Sequence, residues 1–425
     1  MFFGFAKQTP LKHSFEHIAE MEATVLSKRR KRRKRRSNRN PNIAISSPSP
    51  TVTEMQQSTE TLTPQSRHAP PLPTLPFELV AEILCRLPVK LLLQLRCLCK
   101  SFNSLISDPK FAKKHLHSST TPHHLILRSN NGSGRFALIV SPIQSVLSTS
   151  TVPVPQTQLT YPTCLTEEFA SPYEWCSCDG IICLTTDYSS AVLWNPFINK
   201  FKTLPPLKYI SLKRSPSCLF TFGYDPFADN YKVFAITFCV KRTTVEVHTM
   251  GTSSWRRIED FPSWSFIPDS GIFVAGYVHW LTYDGPGSQR EIVSLDLEDE
   301  SYCEVLPPDL ETDLWTLGLV WDYLCIFASN ELFMDVWIME EYGKKESWTK
   351  LCKVPYLEDQ SPRLRAFYKA FYLSEDGQVV LDACVPLKLA VYDSKTDALK
   401  IREIQNRNGW KDPKVYTESL ISPCS

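Results

Sequence analysis

The spacing of apolar positions changes twice along the chain. Over residues 1–72 no apolar period is sustained and Ser, Thr, Pro, Gln and Arg predominate, so this segment cannot bury enough surface to offset its chain entropy. Over 73–118 large aliphatic residues recur every three or four positions, as in amphipathic helices. Over 123–422 short runs of Val, Ile, Phe, Tyr and Trp alternate with turn residues. The pattern predicts a disordered tail, a small helical module and a strand-rich domain.

The helical module has recognisable start and stop signals. Pro76 suits a first helical turn because it has no N–H to leave unpaired there, and Glu78 suits the positive end of the helix dipole. Pro88 ends this helix, and Asp108-Pro109 ends the next apolar series. The spacing predicts two or three short helices with more aliphatic side chains than one buried stripe can use. A helical hairpin packed on the next domain and an interface covered by another protein both remain open.

The strand-rich domain contains an internal repeat. In four turns a short apolar strand ends in a polar residue, and a large apolar residue follows six positions later: Asn195 with Phe201, Thr249 with Trp255, Asp296 with Tyr302, and Asp393 with Leu399. The interval before the last turn is about twice the others, and residues 335–348 fill it with the same strand, turn and tryptophan. Repeats of about 40 to 50 residues with four strands are typical of propeller blades. A large β-sandwich with regular turns is the alternative.

A propeller must also close into a ring. The strands at 124–127 and 136–140 can share one blade with the C-terminal strand at 415–421. Five internal units and this split unit therefore predict about six blades.

The repeat separates packing residues from candidate binding residues. Trp194, Trp255 and Trp348 lie at or beside repeat positions, and we expect them to pack inside blades. Residues that bind a target are expected in loops on one rim of the propeller. The candidate loops are 209–217, 264–269, 283–290 and 359–365.

Charge is unevenly distributed. Nine consecutive Lys and Arg residues occupy positions 28–36, whereas the formal net charge of the whole chain is +2. The rest of the chain is therefore mildly acidic, and a nucleic-acid-binding surface is not expected on its folded part. For the basic run itself, a solvated polycation and a nuclear-import or nucleic-acid-binding patch are equally open.

The sequence offers little for catalysis, metals or membranes. No apolar stretch reaches the ~20 residues that a membrane-spanning helix needs, and no signal-peptide pattern is expected from the first residues. The cysteines lie mostly in apolar runs, which favours a reducing compartment, the nucleus or cytoplasm. Cys176, Cys178 and Cys183 lack a fourth zinc ligand. Motifs of hydrolases and phosphate-binding loops are absent, and His279 fits a structural role. We therefore expect a non-enzymatic chain without cofactor or metal.

The helical module resembles the F-box of plant proteins. The similarity begins at Leu75-Pro-Phe-Glu-Leu and continues through Leu95-Arg-Cys-Leu-Cys-Lys-Ser-Phe. Phe102 stands where the family usually has Trp, and it keeps an aromatic side chain there. The strand-rich domain is similar to the plant F-box-associated interaction domain, a kelch-like group of type 1, in stretches such as Phe222-Gly-Tyr-Asp-Pro and Val278-His-Trp-Leu.

This resemblance implies an α+β multidomain chain, with a small all-α F-box (73–118) before an all-β propeller-like domain of about six blades (123–422). It implies the substrate-recognition subunit of a Skp/cullin/F-box ubiquitin ligase. The F-box would bind the Skp adaptor, and through it cullin, while the β domain would bind an unidentified target for ubiquitination and proteasomal degradation. Other subunits would supply the chemistry. The residues expected on the adaptor are Leu75, Pro76, Leu79, Ile83, Leu84, Leu87, Pro88, Leu91, Leu95 and Leu98.

Two other functions remain open at this stage. The chain could be a scaffold or regulator that binds the Skp adaptor without delivering a target for degradation. Alternatively, it could bind carbohydrate or nucleic acid through the propeller rim or the basic tail. No membrane partner is expected, and nucleic acid is the less favoured of the possible partners.

Overall fold

The computed structural model of the protein divides the chain into two compact units, Met1–Val80 and Ala81–Ser425. The predicted disordered tail lies outside the residues that the structure describes. These residues are 76–118, 123–130, 136–148, 156–162, 165, 175–186, 189–207, 218–239, 242–262, 266–284, 288–356, 369–382, 388–403 and 410–424.

Four short helices occupy the region with helical spacing. They are α1 (Phe77–Leu84), α2 (Val89–Leu95), α3 (Lys100–Ile106) and α4 (Pro109–Ser118). The sequence predicted two or three short helices, and the structure has four, because the apolar series 91–106 is divided by a turn at 96–99 and a further helix follows Asp108. In the turn at 96–99 the Cys99 sulfur accepts a hydrogen bond from the Phe102 N–H and caps α3. Leu92, Ile106 and Phe111, one on each of the last three helices, are buried.

Strands form six four-stranded antiparallel sheets, which we number as blades 1 to 6. Blade 1 contains β4 (Trp175–Cys178), β5 (Ile181–Thr185), β6 (Ala191–Asn195) and β7 (Lys200–Thr203); blade 2 contains β8 (Cys218–Asp225), β9 (Asn230–Cys239), β10 (Arg242–Thr249) and β11 (Arg256–Arg257); blade 3 contains β12 (Ile272–Val274), β13 (Tyr277–Thr282), β14 (Glu291–Asp296) and β15 (Tyr302–Glu304). Blade 4 contains β16 (Trp315–Val320), β17 (Tyr323–Ser329), β18 (Phe333–Met339) and β19 (Trp348–Pro355), with the 3₁₀ turn Lys345–Ser347; blade 5 contains β20 (Lys369–Leu373), β21 (Gln378–Asp382), β22 (Lys388–Asp393) and β23 (Ala398–Glu403); blade 6 contains β24 (Trp410–Thr417), β1 (His123–Asn130), β2 (Phe136–Pro142) and β3 (Thr157–Gln158).

The inner strands of the blades surround a common axis. Strands β4, β8, β12, β16, β20 and β24 contact one another in this order, and β24 contacts β4 again. The prediction of a propeller with about six blades is therefore confirmed. In blades 1 to 5 the first and third hairpin turns lie on one rim, which we call the turn rim. The second hairpin loops and the connections between blades lie on the other, which we call the loop rim.

Blade 6 is built from both ends of the propeller sequence. Strand β24 pairs antiparallel with β1, in a register that places Leu125 opposite Val415 and His123 opposite Thr417. A short helix α5 (Ile143–Leu147) follows β2 and packs with β1 against Val380 and Leu389 of blade 5. The split blade expected from the sequence is confirmed.

The polar residue of the repeat shapes a turn. Asn195, Asp296 and Asp393 each end the third strand of a blade, and the side-chain oxygen of each accepts a hydrogen bond from the N–H two residues later. The fourth residue after each has a positive φ, 51°, 61° and 53° respectively. Asp and Asn favour such turns because their side chains hydrogen-bond the following backbone. The repeat visible in the sequence is therefore the last hairpin of each blade.

The aromatic residue of the repeat links neighbouring blades. The Trp255 indole donates to the Pro205 carbonyl (2.6 Å), and the Trp348 indole donates to the Leu306 carbonyl (3.0 Å), each carbonyl following the outer strand of the preceding blade. Trp194 and Trp348 are buried as predicted, but Trp255 is half-buried. The prediction that Trp255 packs inside a blade is corrected, because its ring lies at the seam between blades 1 and 2.

Candidate functional site

Several large apolar side chains of the helices are exposed to solvent. Among residues 76–80, Phe77 and Leu79 are 53% and 50% exposed and Pro76 is also exposed. In the second unit, Ile83 and Leu98 are 52% and 69% exposed. Exposed aliphatic groups at this density on a small module mark an interaction surface.

We call the exposed apolar residues of the second unit the F-box face: Ile83, Leu87, Pro88, Leu91, Leu95 and Leu98. Leu87 and Leu95 are half-buried and the others are exposed. Leu84 is a correction to the predicted set, because it is only 4% exposed and packs inside the helical module. Leu75 lies outside the described residues. Phe77 was missed by the sequence reasoning, although its place beside Pro76 in the first helical turn was a usable signal.

Basic residues flank the F-box face. Arg86, Lys90 and Lys100 are exposed close to it in sequence, whereas Glu82 is bound to Lys114 of α4. That ammonium holds the pKa of the Glu82 carboxyl below its ordinary value through a hydrogen bond and its charge. Among residues 81–100 the exposed basic side chains thus outnumber the one acidic side chain, which favours a partner with carboxylates beside its apolar groove.

Helix α4 is attached to the turn rim of blade 2. The Lys113 ammonium donates to the Asp229 carbonyl oxygen (2.7 Å) and to the Asp229 carboxylate (2.9 Å). The Tyr224 hydroxyl donates to the same carboxylate. Hydrogen bonds from Lys113 and Tyr224 hold the pKa of the Asp229 carboxyl below its ordinary value. This contact joins residues 116 positions apart, so spacing along the chain could not predict it. The loop rim of blade 2 lies at the opposite end of the blade from this contact.

Parts of two predicted target-binding loops lie on that loop rim. The Phe266 ring meets the Tyr283 ring edge-on, with centroids 5.5 Å apart, and the two backbones exchange hydrogen bonds. The Arg290 guanidinium lies over the Tyr283 ring, 5.0 Å from its centroid, and donates to the Trp315 carbonyl. Loops 209–217 and 359–365 lie outside the described residues.

Comparison with known proteins matches the F-box domain at residues 72–114 and the F-box associated beta propeller domain at residues 143–423. The second match covers more than half of the chain. The chain belongs to the F-box-associated β-propeller family.

Relatives of this F-box protein are found in Arabidopsis thaliana. An F-box/kelch-repeat protein is 31% identical over 373 residues, which cover 82% of this chain and 96% of the relative. The F-box protein CPR1 is 26% identical over 390 residues, covering 83% of this chain and 89% of the relative. Both similarities extend through the F-box and the propeller, and proteins with this pair of domains are typically receptor or adaptor subunits.

His279 of the F-box protein is surrounded by side chains of blades 3 and 4. His279 on β13 is fully buried, and its Nδ1 lies 2.6 Å from the Ser294 hydroxyl on β14. The Tyr342 ring, from the last hairpin of blade 4, covers the imidazole at 5.3 Å between centroids. Burial lowers the pKa of His279 to about 3. The imidazole is therefore neutral at physiological pH and has no access to a substrate, which fits a structural role between blades 3 and 4.

Protonation of His279 should make the propeller sensitive to acid. The imidazole pKa is about 3 in the folded protein and 6.5 when unperturbed, so between these values the unfolded chain binds more protons and stability falls as pH decreases. His279→Gln keeps a polar side chain but does not titrate. We expect its urea midpoint to fall less than that of the wild type between about pH 7 and pH 4.5. The exposed His117→Gln serves as control, and equal pH dependence of wild type and His279→Gln would contradict the assignment.

Cys176, Cys178 and Cys183, which lie close together in the sequence, are in environments that favour the protonated thiol. Burial raises the pKa of the Cys178 thiol, and a hydrogen bond with Cys176 together with burial raises that of Cys183. Zinc binds thiolates, so these environments do not favour it. Within the described ranges, no group of three His, Cys, Asp or Glu residues is placed to hold a metal ion. In the same residues no helix is long and apolar enough to cross a membrane.

Proposed function

We propose that this F-box protein is the substrate-recognition subunit of a Skp/cullin/F-box ubiquitin ligase. The F-box face binds the Skp adaptor, and the propeller binds a target protein that is then ubiquitinated and degraded. The observation that supports this most directly is the exposure of Ile83 on α1, Leu91 on α2 and Leu98 in the turn after α2, while other apolar side chains of the same module are buried. Burial of such side chains in a groove contributes about 1.5 to 3 kcal/mol each.

The proposed role needs no reactive group from this chain. The receptor holds the target while other subunits transfer ubiquitin, so its contribution to the rate is to position the target near the transferring subunit. Such positioning requires a defined orientation between adaptor and target. The contact of Lys113 with Asp229 supports this, because it fastens α4 to blade 2.

The cellular site that we propose is the nucleus or cytoplasm, where the ubiquitin system operates. Buried Cys325 and exposed Cys303 are both free thiols. Free exposed thiols are the usual state in a reducing compartment.

The proposal is tested with a charged residue on the F-box face. Ile83→Asp should reduce affinity for the purified Skp adaptor by about a hundredfold, because a carboxylate would have to be desolvated at an apolar anchor. The measurement is isothermal titration calorimetry with the full-length chain, supported by co-purification.

The matched control is Ile401→Asp. Ile401 on β23 is 44% exposed, close to the 52% of Ile83, but lies on the outer strand of blade 5. It should bind the adaptor like the wild type. Circular dichroism verifies that both variants are folded. Wild-type affinity of a folded Ile83→Asp protein would refute adaptor binding through this face.

A further inference from the structure

Two exposed thiols lie on either side of the most exposed leucine of the F-box face. Cys97 and Cys99 are in the turn between α2 and α3, and Leu98 between them is 69% exposed. Both cysteines are free and exposed, whereas Cys85, which follows α1, is free but fully buried. A partner that covers Leu98 therefore has to approach two sulfur atoms that reagents in solution can reach.

Both sulfur atoms contact the helices that carry the F-box face. The Cys99 sulfur accepts a hydrogen bond from the Phe102 N–H (3.5 Å) and caps α3. The Cys97 thiol lies 3.8 Å from the Leu93 carbonyl oxygen of α2. A substituent on either sulfur would have to be accommodated where the turn meets a helix. Chemical change at these thiols would therefore alter the face itself as well as its surroundings.

The charge around the two thiols is positive. Arg96 and Lys100 adjoin them in the sequence, and Lys100 is exposed. Residues 81–118 contain seven Lys or Arg residues and two acidic residues, Glu82 and Asp108. Two of the seven cations are engaged in ion pairs with carboxylates, so the positive charge remains in excess. Such a surface attracts anionic reagents.

We propose that Cys97 and Cys99 are a modification site for an anionic small-molecule disulfide of the glutathione type, and that modification of either thiol prevents adaptor binding. This inference rests on the proposed function of the F-box face as the adaptor-binding surface, and it adds regulation of that surface. The exposed position of the thiols, their place beside Leu98 and the surrounding cations together support it.

The reaction is a thiol–disulfide exchange. The Cys97 or Cys99 sulfur attacks one sulfur of glutathione disulfide, the S–S bond of the reagent breaks, and a new S–S bond joins the protein to one glutathione. The departing glutathione sulfur takes up the proton that the protein thiol has lost. The protein sulfur is thereby oxidised and the departing sulfur is reduced, so no further oxidant is needed. Excess reduced glutathione reverses the exchange.

An attached glutathione would block the F-box face in two ways. Its bulk would lie beside Leu98 and keep that side chain out of an apolar groove. Its carboxylates would also repel the carboxylates that the basic surroundings of the face favour in the partner. Loss of an apolar anchor at the centre of an interface commonly lowers affinity by about a hundredfold.

The test uses the full-length chain and glutathione disulfide. The chain is treated with the reagent, freed of excess reagent, and titrated with the purified Skp adaptor by isothermal titration calorimetry. Peptide mass mapping identifies the modified cysteines. We expect mixed disulfides at Cys97 or Cys99 and a loss of adaptor affinity of about a hundredfold in the modified molecules. Dithiothreitol should restore the affinity of the untreated chain.

A double variant, Cys97→Ser with Cys99→Ser, should bind the adaptor equally well before and after treatment. Serine cannot form a disulfide, and a serine hydroxyl at position 99 can still accept the hydrogen bond that caps α3. Circular dichroism verifies that this variant is folded. The wild type provides a second measurement, because its active fraction must fall in step with the fraction modified at Cys97 or Cys99.

The matched control removes two exposed thiols that lie elsewhere, Cys303 on β15 and Cys424 after β24. The double variant Cys303→Ser with Cys424→Ser should lose adaptor affinity on treatment as the wild type does. Absence of modification at both Cys97 and Cys99 would overturn the proposal. So would unchanged affinity of the modified wild type, or an equal loss of affinity in the Cys97→Ser, Cys99→Ser variant.

The untreated wild type separates this proposal from the proposed function. Normal adaptor binding by the untreated chain, with no effect of modification, would refute regulation through the thiols and leave the adaptor-binding role intact. Failure of the untreated, folded chain to bind the adaptor would refute both.

Discussion

Replacing Gly180 with Ala should destabilise the propeller more than the same replacement at Gly343. Gly180 forms the turn between β4 and β5 with φ +77°, and a Cβ there would lie 2.7 Å from both the Thr417 carbonyl oxygen and the Ser419 Cβ. The positive φ costs Ala about 1 to 2 kcal/mol. Overpacking against the C-terminal segment adds about 1 to 3 kcal/mol.

Gly343 makes a matched control for this prediction. It has the same φ of +77°, but nothing lies within 4 Å of a Cβ built there. Gly343→Ala should therefore show the conformational cost alone. Urea unfolding monitored by tryptophan fluorescence compares the two variants with the wild type. Equal loss of stability in both would show that the seam between blades 1 and 6 can relax around an extra methyl group.

Replacing Asn195 with Ala should remove two of the hydrogen bonds that join blade 1 to the C-terminal segment after β24. The fully buried Asn195 amide donates to the Ser419 carbonyl (3.0 Å) and to the Ile421 carbonyl (2.9 Å), while its oxygen accepts from the Phe197 N–H (3.0 Å). Two buried carbonyls would lose a partner, at about 1 to 3 kcal/mol each. With about 1 kcal/mol for the turn bond to Phe197, we expect a total loss of about 3 to 7 kcal/mol in the free energy of unfolding.

Asn330→Ala is the control that shows how much stability is lost when turn hydrogen bonds alone are removed. The Asn330 oxygen accepts from the N–H groups of Leu332 and Phe333, as in the Asn195 turn. Loss of such turn bonds should cost about 1 kcal/mol. The readout is again the urea midpoint, together with limited proteolysis of the C-terminal segment, which should accelerate only in Asn195→Ala. Similar stability of the two variants would show that the Ser419 and Ile421 bonds do not hold the ring closed.

Local turn chemistry is what made the propeller predictable. The last hairpin of a blade is stabilised by a side chain that accepts a hydrogen bond from the N–H two residues later, as at Asn195, Asp296 and Asp393. The positions of these residues in the sequence therefore predict the positions of the hairpins. The pairing of residues 124–127 with the C-terminal strand was also predictable, because a ring of such units must close.

Contacts between distant segments were not predictable. Ile83 and Leu84 are adjacent aliphatic residues in a helix of eight residues. The apolar spacing of such a short helix does not show which of the two is buried. The seam position of Trp255 depends on the Pro205 carbonyl of another blade.

The split composition of blade 6 affects biosynthesis. During translation the F-box helices leave the ribosome first, and N-terminal elements generally fold first. The ring, however, cannot close until β24 has emerged and paired with β1. A prematurely terminated chain that lacks β24 would thus retain the adaptor-binding helices but have an open propeller. Such a product would occupy adaptor molecules without delivering cargo, so a nonsense mutation near the 3′ end of the reading frame should act as a dominant inhibitor.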